Sequence, residues 1–234
     1  MKLAIHQPNF IPWLGFFHRL SLVDTFVFLN HVQNNNGKSW VSRNKLIISG
    51  HEKWVTIPTR KKGNSFQRIN AVEINYDTKE ISKLIKSIEL SYKKCTHFSD
   101  VFQVLFNLLS KEYKYIADFN QEFIIQICKK LNFQIKFLDS NQILTDSQKL
   151  KGGNDLVLEI AKRTKCGTYV SGKGCLDFIN PSSFSDEGIE FQYHEFNHPN
   201  YQQLTSKLCT SHLSILDALF NLGFEGTCKL ILNA

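Results

Sequence analysis

The order of patterns at the N-terminus constrains the fold of this 234-residue chain more than any other feature. The apolar run Leu3-Ala4-Ile5 predicts a short buried strand, and a loop containing proline and glycine follows over residues 6–15. A helix is predicted at residues 16–22 and a second strand at residues 25–29. Strand, loop, helix and strand in this order indicate a right-handed βαβ unit, and therefore a parallel sheet.

Strand and helix patterns alternate again in the second half of the chain. Residues 134–138, 168–170 and 190–193 are predicted strands, and residues 156–163 are a predicted helix with Asn154 as its cap. A last helix is predicted to begin at Ser211 or Ser214, to pass through Phe220 and to end at Gly223. We therefore expect a single α/β domain over residues 1–234, doubly wound, with a mostly parallel sheet.

The middle of the chain is predicted to be an insertion into this domain. Residues 53–57 and 69–74 are further strand candidates, separated by a basic loop at residues 59–65. Apolar residues at helical spacing then predict three helices, and Asp100 is the expected cap of the second. Together they form a mainly helical insertion at about residues 79–132, whose apolar stripes are expected in the core.

Composition and charge exclude several classes of protein. The chain is 42% hydrophobic, which suffices for a core, but no apolar run is long enough for a transmembrane helix. No signal-peptide pattern is visible, so a soluble, cytoplasmic protein is expected. The net charge of +7 favours phosphate-bearing ligands. Because the basic residues are scattered and no nucleic-acid-binding motif accompanies them, we expect a nucleotide or nucleotide sugar and no nucleic-acid partner.

The six cysteines do not have the spacing of a zinc site, and no metal site is predicted. Without a secretory signal their thiols are expected to be reduced and mostly buried. Only Cys175 is expected in a position where a reactive thiol would be exposed, because glycines flank it in the run over residues 171–175.

Polar side chains concentrate in the loop after the first strand. His6, Gln7 and Asn9 supply directional hydrogen-bonding groups at the carboxyl end of a parallel strand, where doubly wound folds bind ligands. Prolines stiffen this loop, and Gly15 permits a close approach of the backbone to a ligand or to the adjacent helix. We favour a ligand site here over a turn whose polar groups only satisfy the backbone.

The run IHQPNFIPWLGFFH at residues 5–18 resembles the opening signature of the WbqC-like family of bacterial surface-polysaccharide gene clusters. Similar segments continue almost to the end of the chain. They are Asp24 with the strand at residues 26–29, Val32-Gln33, Val41-Ser42-Arg43-Asn44-Lys45, Trp54, Ile57-Pro58, Tyr169-Val170-Ser171-Gly172, His198-Pro199-Asn200-Tyr201-Gln202 and residues 214–223.

The resemblance implies a role in O-antigen (lipopolysaccharide) or capsule assembly. The implied activity is transfer of an acyl or aminoacyl group to a nucleotide-linked amino sugar. The partners would be a nucleoside-diphosphate amino sugar and an acylated carrier protein with a phosphopantetheine thioester, and no other cofactor is expected. In this chain Lys173-Gly174-Cys175 departs from the family pattern, which argues against Cys175 as a general nucleophile of the family.

A shorter likeness concerns the phosphate-binding loop of HIGH-type nucleotidyltransferases. Phe10-Ile11-Pro12 with Gly15 and His18 is similar to that loop, and Ser171-Gly172-Lys173 is similar to their mobile loop. The H-x-G-H spacing is absent, so the likeness predicts only a related N-terminal fold and nucleotide binding. Nucleotidyl or adenylyl transfer with Mg²⁺ and a non-catalytic nucleotide-sugar binding module therefore remain as alternatives to acyl transfer.

His6 is the predicted general base, ahead of His198, because a buried strand fixes the backbone of His6. Arg43 and Lys45 lie in a polar, Asn-rich segment after the second strand, where Arg43 would hold a diphosphate and Lys45 would add a point charge. A solvated basic loop is the equally favoured alternative. Asp217 and Asn221 share one helix face, and we expect a buried structural role, with pairing to a histidine or Arg43 as alternatives. The other predicted substrate-binding residues are Gln7, Asn9, Trp13, Gly15, Gln33, Ser171, Gly172, Lys173, Tyr201 (stacked on a base or sugar) and Gln202.

Overall fold

The structure is a computed structural model, and it describes residues 1–34, 39–60, 66–144, 153–204 and 209–234. The strands are β1 (Lys2–His6), β2 (Thr25–Phe28), β3 (Arg43–Ile48), β4 (His51–Thr56), β5 (Lys136–Asp139), β6 (Thr168–Gly172) and β7 (Glu190–His194). The α-helices are α1 (Leu14–Ser21), α2 (Glu80–Tyr92), α3 (Phe98–Leu109), α4 (Ile116–Lys130), α5 (Ser140–Ile143), α6 (Gly153–Arg163), α7 (Pro181–Asp186) and α8 (Ile215–Leu232). Short 3₁₀ turns lie at Ile69–Ala71 and Lys173–Cys175.

Five strands form one parallel sheet in the order β5-β2-β1-β6-β7. The chain adds strands outward from β1 through β2 to β5, then returns to the other side of β1 and continues through β6 to β7. The direction of addition therefore reverses between β1 and β6, which is the topological switch point of a doubly wound sheet. The predicted α/β fold and its N-terminal βαβ unit are confirmed, whereas a HIGH-type relationship stays a prediction.

Both faces of the central strands are buried, which explains their nearly continuous apolar sequences. Within β1 the side chains alternate between two cores, since Ala4 packs in one cluster and Leu3 and Ile5 pack in the other. The first cluster extends to helices α1–α4 and α8, and the second is closed mainly by α6 and α7. This arrangement fixes the carboxyl end of β1, from which His6 leads into the polar loop.

Arg43 and Lys45 both belong to β3, so the alternative interpretation of this segment as a solvated basic loop was wrong. This strand pairs with β4 as an antiparallel hairpin separate from the main sheet. The hairpin turns at Ser49-Gly50, where both residues have positive φ angles of 54° and 79°. Two such residues in succession are typical of a tight type I′ turn, and the Ser-Gly dipeptide was the available sequence signal.

Other local predictions were wrong at element ends. Residues 69–74 form no strand but contain the 3₁₀ turn Ile69–Ala71. Asn154 lies within α6, where its side chain accepts a hydrogen bond from the Asn180 backbone, and Asp100 lies inside α3 rather than at its cap. Ser214 does cap α8, as expected. Much of the basic loop at residues 59–65 lies outside the described residues.

Gly223 has non-helical backbone angles (φ 70°, ψ −178°) and ends the helical segment that begins at Ile215, as the sequence predicted. Its φ angle of 70° is accessible to glycine at little cost, and a Cβ atom there would lie 2.7 Å from the Nδ1 atom of His97. A second helical segment follows this kink and reaches Leu232, and Thr227 and Ile231 in it are buried. Within the described ranges, no helix is both long enough and apolar enough to cross a membrane.

Candidate functional site

A cavity of about 580 Å³ opens at the carboxyl end of β1, beside the switch point between β1 and β6. His6, Gln7 and Asn9 form its polar wall. The rest of the wall is mostly apolar and includes Trp13, Leu29, Val32, Trp40, Leu156, Val157 and Phe178. The predicted strand-end location of the site therefore coincides with a cavity, and four predicted residues of the first loop line it.

A larger groove, about 990 Å³ in volume, lies between α3 and α4 and is lined by exposed side chains such as Asp100 and Lys111. Its lining contains neither histidine nor cysteine. It also lies away from the strand ends, so we assign the candidate site to the smaller cavity at β1.

Two buried asparagines hold the loop between β1 and α1. The Asn44 side chain donates to the carbonyl oxygens of Phe10 and Ile11 at 3.2 and 2.9 Å. The Asn120 side chain donates to the carbonyl oxygens of Pro8 and Val41, both at 2.8 Å. Ile11 has a φ angle of 35°, which is rare and strained for a β-branched residue. The loop is thus held in a conformation that it would not adopt alone.

Trp13 connects this loop to the C-terminal part of the chain. Its indole covers Gly15 so closely that a Cβ atom there would lie 2.5 Å from the ring. The indole also stacks on His212 and meets Phe196 edge to face, with ring centroids 5.3 Å away in both cases. Gly15 itself is buried. Its missing side chain therefore accommodates Trp13, which in turn lines the cavity.

His6 is partly buried, and its Nδ1 atom lies 2.8 Å from the Gln7 carbonyl oxygen. A carbonyl oxygen only accepts, so Nδ1 carries the proton of the neutral ring and Nε2 is left as an acceptor. Burial, and secondly the positive charge of Arg19, lower the pKa of His6 to about 3. The ring is therefore neutral at neutral pH and only weakly basic.

Arg19, in the last turn of α1, was not predicted as a site residue. Only 6% of its surface is exposed, and within the described part of the chain its guanidinium makes no hydrogen bond or ion pair. Burial lowers the pKa of this guanidinium. A sequence signal existed, because Arg19 interrupts a helix whose other residues from Leu14 to Leu20 are also buried. A basic residue near a helix C-terminus is ordinary, however, and does not by itself indicate a site.

A histidine pair lies next to Arg19. His18 Nδ1 and His194 Nε2 are 2.7 Å apart, and both side chains are buried. Burial, followed by the charges of Arg19, His18 and Lys173, lowers the pKa of His194 to about 4. Burial also lowers the pKa of His18. Sequence reasoning noted His18 in the loop signature and in the HIGH-type likeness, which would place His6 or His18 near phosphates. It did not identify His194, which ends β7.

Arg43 and Lys45 lie over an aromatic surface of the hairpin. The Arg43 guanidinium stacks 4.1 Å from the ring centroid of Trp54, and the Lys45 ammonium lies 5.4 Å from it. Lys45 also forms an ion pair with Glu52 at 2.7 Å. Neither cation lines the cavity, but Trp54 contacts Trp40, which does.

His198 and Tyr201, from the motif at residues 198–202, lie near His212, the residue that stacks on Trp13. His198 Nδ1 is 3.0 Å from the Pro199 carbonyl oxygen, and its ring is 5.1 Å from that of His212, a cavity residue. The Tyr201 hydroxyl donates to buried Asp217 at 2.7 Å. Tyr201 is thus already bonded, and its stacking on a ligand stays a prediction.

Asp217 has the buried structural role that the sequence predicted. It accepts hydrogen bonds from the hydroxyls of Tyr92 and Tyr201, both at 2.7 Å, and burial raises its pKa. Within the described residues it forms no ion pair with Arg43. Asn221, one turn further along α8, donates to the Asp217 backbone carbonyl and accepts from the backbone of Leu204.

The other predicted residues are spread around the cavity. Ser171 is buried at the end of β6, and Gly172 contacts Arg19. Lys173 is exposed and lies 3.3 Å from Glu195. Gln33 and Gln202 are exposed, and Gln33 forms a backbone bridge to Arg68. None of these five lines the cavity.

All six cysteines are free. Cys95, Cys128 and Cys166 are buried, as expected, and burial raises the pKa of the Cys95 thiol to about 11. Cys175 is partly buried and lines the cavity, whereas Cys209 is exposed, so the prediction that Cys175 alone would be accessible was wrong. Among the described residues, no three or more His, Cys, Asp or Glu side chains are grouped so that they would hold a metal ion.

The sheet order and the strand-end cavity define this protein as a doubly wound α/β protein with its candidate site at the switch point. A model of the WbqC-like protein family matches residues 7–228, and the chain belongs to this family. It is also 26% identical over 226 residues to the uncharacterized protein Rv1507c of Mycobacterium tuberculosis (strain ATCC 25618 / H37Rv), an alignment that covers 96% of this chain and 95% of that protein. No solved structure matches the chain significantly.

Proposed function

We propose that this protein is an enzyme of bacterial surface-polysaccharide assembly that acylates or aminoacylates a nucleoside-diphosphate amino sugar. The observation that carries the proposal is the two-sided cavity at β1, where His6, Gln7 and Asn9 face a mostly apolar wall. In acyl transfer, a hydrophilic sugar amine and the thioester-bound acyl chain, whose hydrocarbon part is apolar, must meet at one place. The cavity volume of about 580 Å³ is typical of small-molecule sites.

The proposed reaction needs a base and donors for an oxyanion. The sugar amine attacks the thioester carbonyl carbon, the new C–N bond forms, and the C–S bond breaks. The nitrogen gives up one proton and the departing thiolate takes one. We assign the proton at nitrogen to Nε2 of His6, since its Nδ1 atom is held by the Gln7 carbonyl. The side-chain amides of Gln7 and Asn9, on the same wall, would donate to the oxyanion.

Mass spectrometry of the reaction products tests this function. The purified protein is incubated with UDP-, dTDP- or GDP-linked amino sugars and an acylated carrier protein, with and without ATP and Mg²⁺. We expect the sugar nucleotide to gain the mass of the acyl group and the carrier to gain a free thiol, without a requirement for ATP or Mg²⁺. Absence of acylated product with every donor and sugar would contradict the proposal.

Nucleotidyl transfer is the second candidate, and the strand order supports it, because nucleotide-binding doubly wound folds share this switch point. The same incubations distinguish the two, since nucleotidyl transfer would release pyrophosphate only when a nucleoside triphosphate and Mg²⁺ are present. A non-catalytic binding module would retain the nucleotide sugar in calorimetry and yield no product under any condition.

A further inference from the structure

Among the residues that the structure describes, the side chain of Arg19 is a buried cation without a hydrogen-bond or ion-pair partner. Its Nε atom is fully buried, and no described residue accepts a hydrogen bond from the guanidinium. Two weak interactions offset part of the free-energy cost of burying this charge. One is with the dipole of α1, since Arg19 lies in its last turn, and the other is a cation–π contact of 5.9 Å with Phe16. A buried charge normally requires a paired and hydrogen-bonded counter-charge.

The groups around Arg19 are basic or neutral. The positive charge of Arg19 lowers the pKa of His6 and that of His194. The acidic groups that raise the pKa of Arg19 are the phenol of Tyr169 and the thiol of Cys175. No carboxylate is among them. Lys173 also acts on His194, and the carboxylate nearest to Lys173 belongs to Glu195, whose side chain is 81% exposed. In the part of the chain that the structure describes, the end of β6 is therefore a positive region without an internal anion.

This region adjoins the cavity. His6, Tyr169 and Cys175 line the cavity wall and are electrostatically coupled to Arg19. The Nη1 atom of Arg19 lies 2.5 Å from the position that a Cβ atom of residue 172 would take. Glycine at the end of β6 thus gives the guanidinium its position behind the wall, at the switch point where doubly wound folds bind phosphates.

We propose that Arg19, supported by the His18–His194 pair, binds a phosphate-type anion at the inner end of the cavity. The assignment of this anion to the diphosphate of a nucleotide sugar rests on the proposed function, whereas the anion site itself does not. Arg43, expected from the sequence to hold the diphosphate, is stacked on Trp54 in the separate hairpin and does not lie at the end of β6. An arginine offers planar, bidentate donors that suit phosphate oxygens. The neutral His18–His194 pair uses one N–H in its own hydrogen bond and leaves one further N–H to donate.

Isothermal titration calorimetry with inorganic phosphate, pyrophosphate, UDP and uridine tests the anion site without any acyl donor. We expect the wild-type protein to bind the three phosphate compounds and to bind uridine far more weakly. The Arg19→Gln variant should bind pyrophosphate at least about tenfold more weakly, the loss typical of one hydrogen bond between charged groups. Lys129→Gln removes an exposed positive charge far from β6 and should leave binding unchanged.

A second variant moves the guanidinium and keeps its charge. In Gly172→Ala, the new methyl group displaces the flexible end of Arg19, and the backbone at residue 172 already has angles that alanine tolerates. Binding of pyrophosphate should weaken, whereas Gly174→Ala, which meets no atom within 4 Å, should have no effect. The anion site is wrong if the wild-type protein binds none of the phosphate compounds, or if both variants bind pyrophosphate as tightly as the wild type.

The outcomes separate this inference from the proposed function. If pyrophosphate binds through Arg19 and no sugar is acylated, the anion site stands and the transferase function fails. If sugars are acylated and the two variants bind pyrophosphate normally, the transferase function stands and the anion site fails.

Discussion

The guanidinium of Arg19 fills the space that a side chain at Gly172 would need, with Nη1 2.5 Å from the Cβ position of residue 172. Arg19 belongs to α1 and Gly172 ends β6, and these two elements are separated in the sequence by residues 22–167. Their contact places an unpaired cation beside the cavity residues His6 and Cys175. It therefore joins the first loop and the second half of the sheet into one candidate site.

An unpaired buried cation should destabilise the fold in the absence of an anion. We expect Arg19→Met to leave the free energy of unfolding unchanged or to raise it by about 1–4 kcal/mol, because an apolar side chain avoids the desolvation of the charge. Urea unfolding in a phosphate-free buffer measures the effect. A loss of more than about 3 kcal/mol would mean that Arg19 stabilises the fold through a hydrogen-bond or ion-pair partner, whereas none is found among the described residues.

The anchoring of the first loop should be measurable as stability. In Asn120→Ala, the buried carbonyls of Pro8 and Val41 lose their donor, which should lower the free energy of unfolding by about 1–3 kcal/mol. The exposed Asn107→Ala provides a matched control on α3 and should change stability by less than about 0.5 kcal/mol. Equal stability of the two variants would show that the loop does not depend on Asn120.

The α/β fold could be predicted from the sequence because each strand and helix is indicated by a short run of neighbouring residues. The strands β1 and β2 are short apolar runs on either side of a loop and a helix, and this order specifies a parallel unit. His6, Gln7 and Asn9 were found because a residue that follows a parallel strand must lie at the edge where ligands bind. Neither inference required knowledge of which distant segments pack together.

Arg19 and His194 were missed because their environment is not local. An arginine in the last turn of a helix usually faces water, and only the packing of β6 and β7 against α1 buries this one. Arg43 belongs to β3 and is stacked on Trp54, and its contact with a ligand stays a prediction. Patterns along the chain predict elements, but the partner of a charged side chain depends on contacts between distant elements.

The buried histidines should make the protein sensitive to acid. His6 and His194 have pKa values lowered to about 3 and about 4 in the folded state, from the ordinary value of 6.5. The unfolded chain therefore binds more protons than the folded chain in this range, so stability should fall as the pH drops from about 6.5 toward 4. Urea unfolding at several pH values measures the slope. His194→Asn should reduce the slope, whereas the exposed His51→Asn should not.

If His6 is the base of acyl transfer, its removal should change the kinetics of the reaction. His6→Asn should retain binding of the nucleotide sugar and lower turnover by roughly 10²–10⁴, the usual contribution of general acid–base catalysis. His51→Asn is again the control, and His198→Asn tests the other predicted base. Because the pKa of His6 is about 3 in the free protein, kcat/KM should show no acid limb from this group between about pH 5 and 8. Wild-type turnover in His6→Asn would exclude His6 as the base.

The electrostatic coupling between Arg19 and His6 gives a prediction that connects the anion site to the base. Burial is the larger cause of the lowered pKa of His6, and the charge of Arg19 is the second. Arg19→Gln should therefore raise the pKa of His6 without restoring it to 6.5, since burial remains. Pyrophosphate bound to the wild-type protein should raise it in the same direction, because the anion offsets the charge of Arg19 and favours the imidazolium. NMR titration of the histidine ring carbons measures both effects, with the exposed ring of His51 as an internal reference. A pKa of His6 that is the same in the wild-type protein, in Arg19→Gln and in the presence of pyrophosphate would show that the cation and the base are not coupled.

If the predicted rise occurs, binding of the substrate's diphosphate would itself make His6 a stronger base at the moment when a proton has to be accepted.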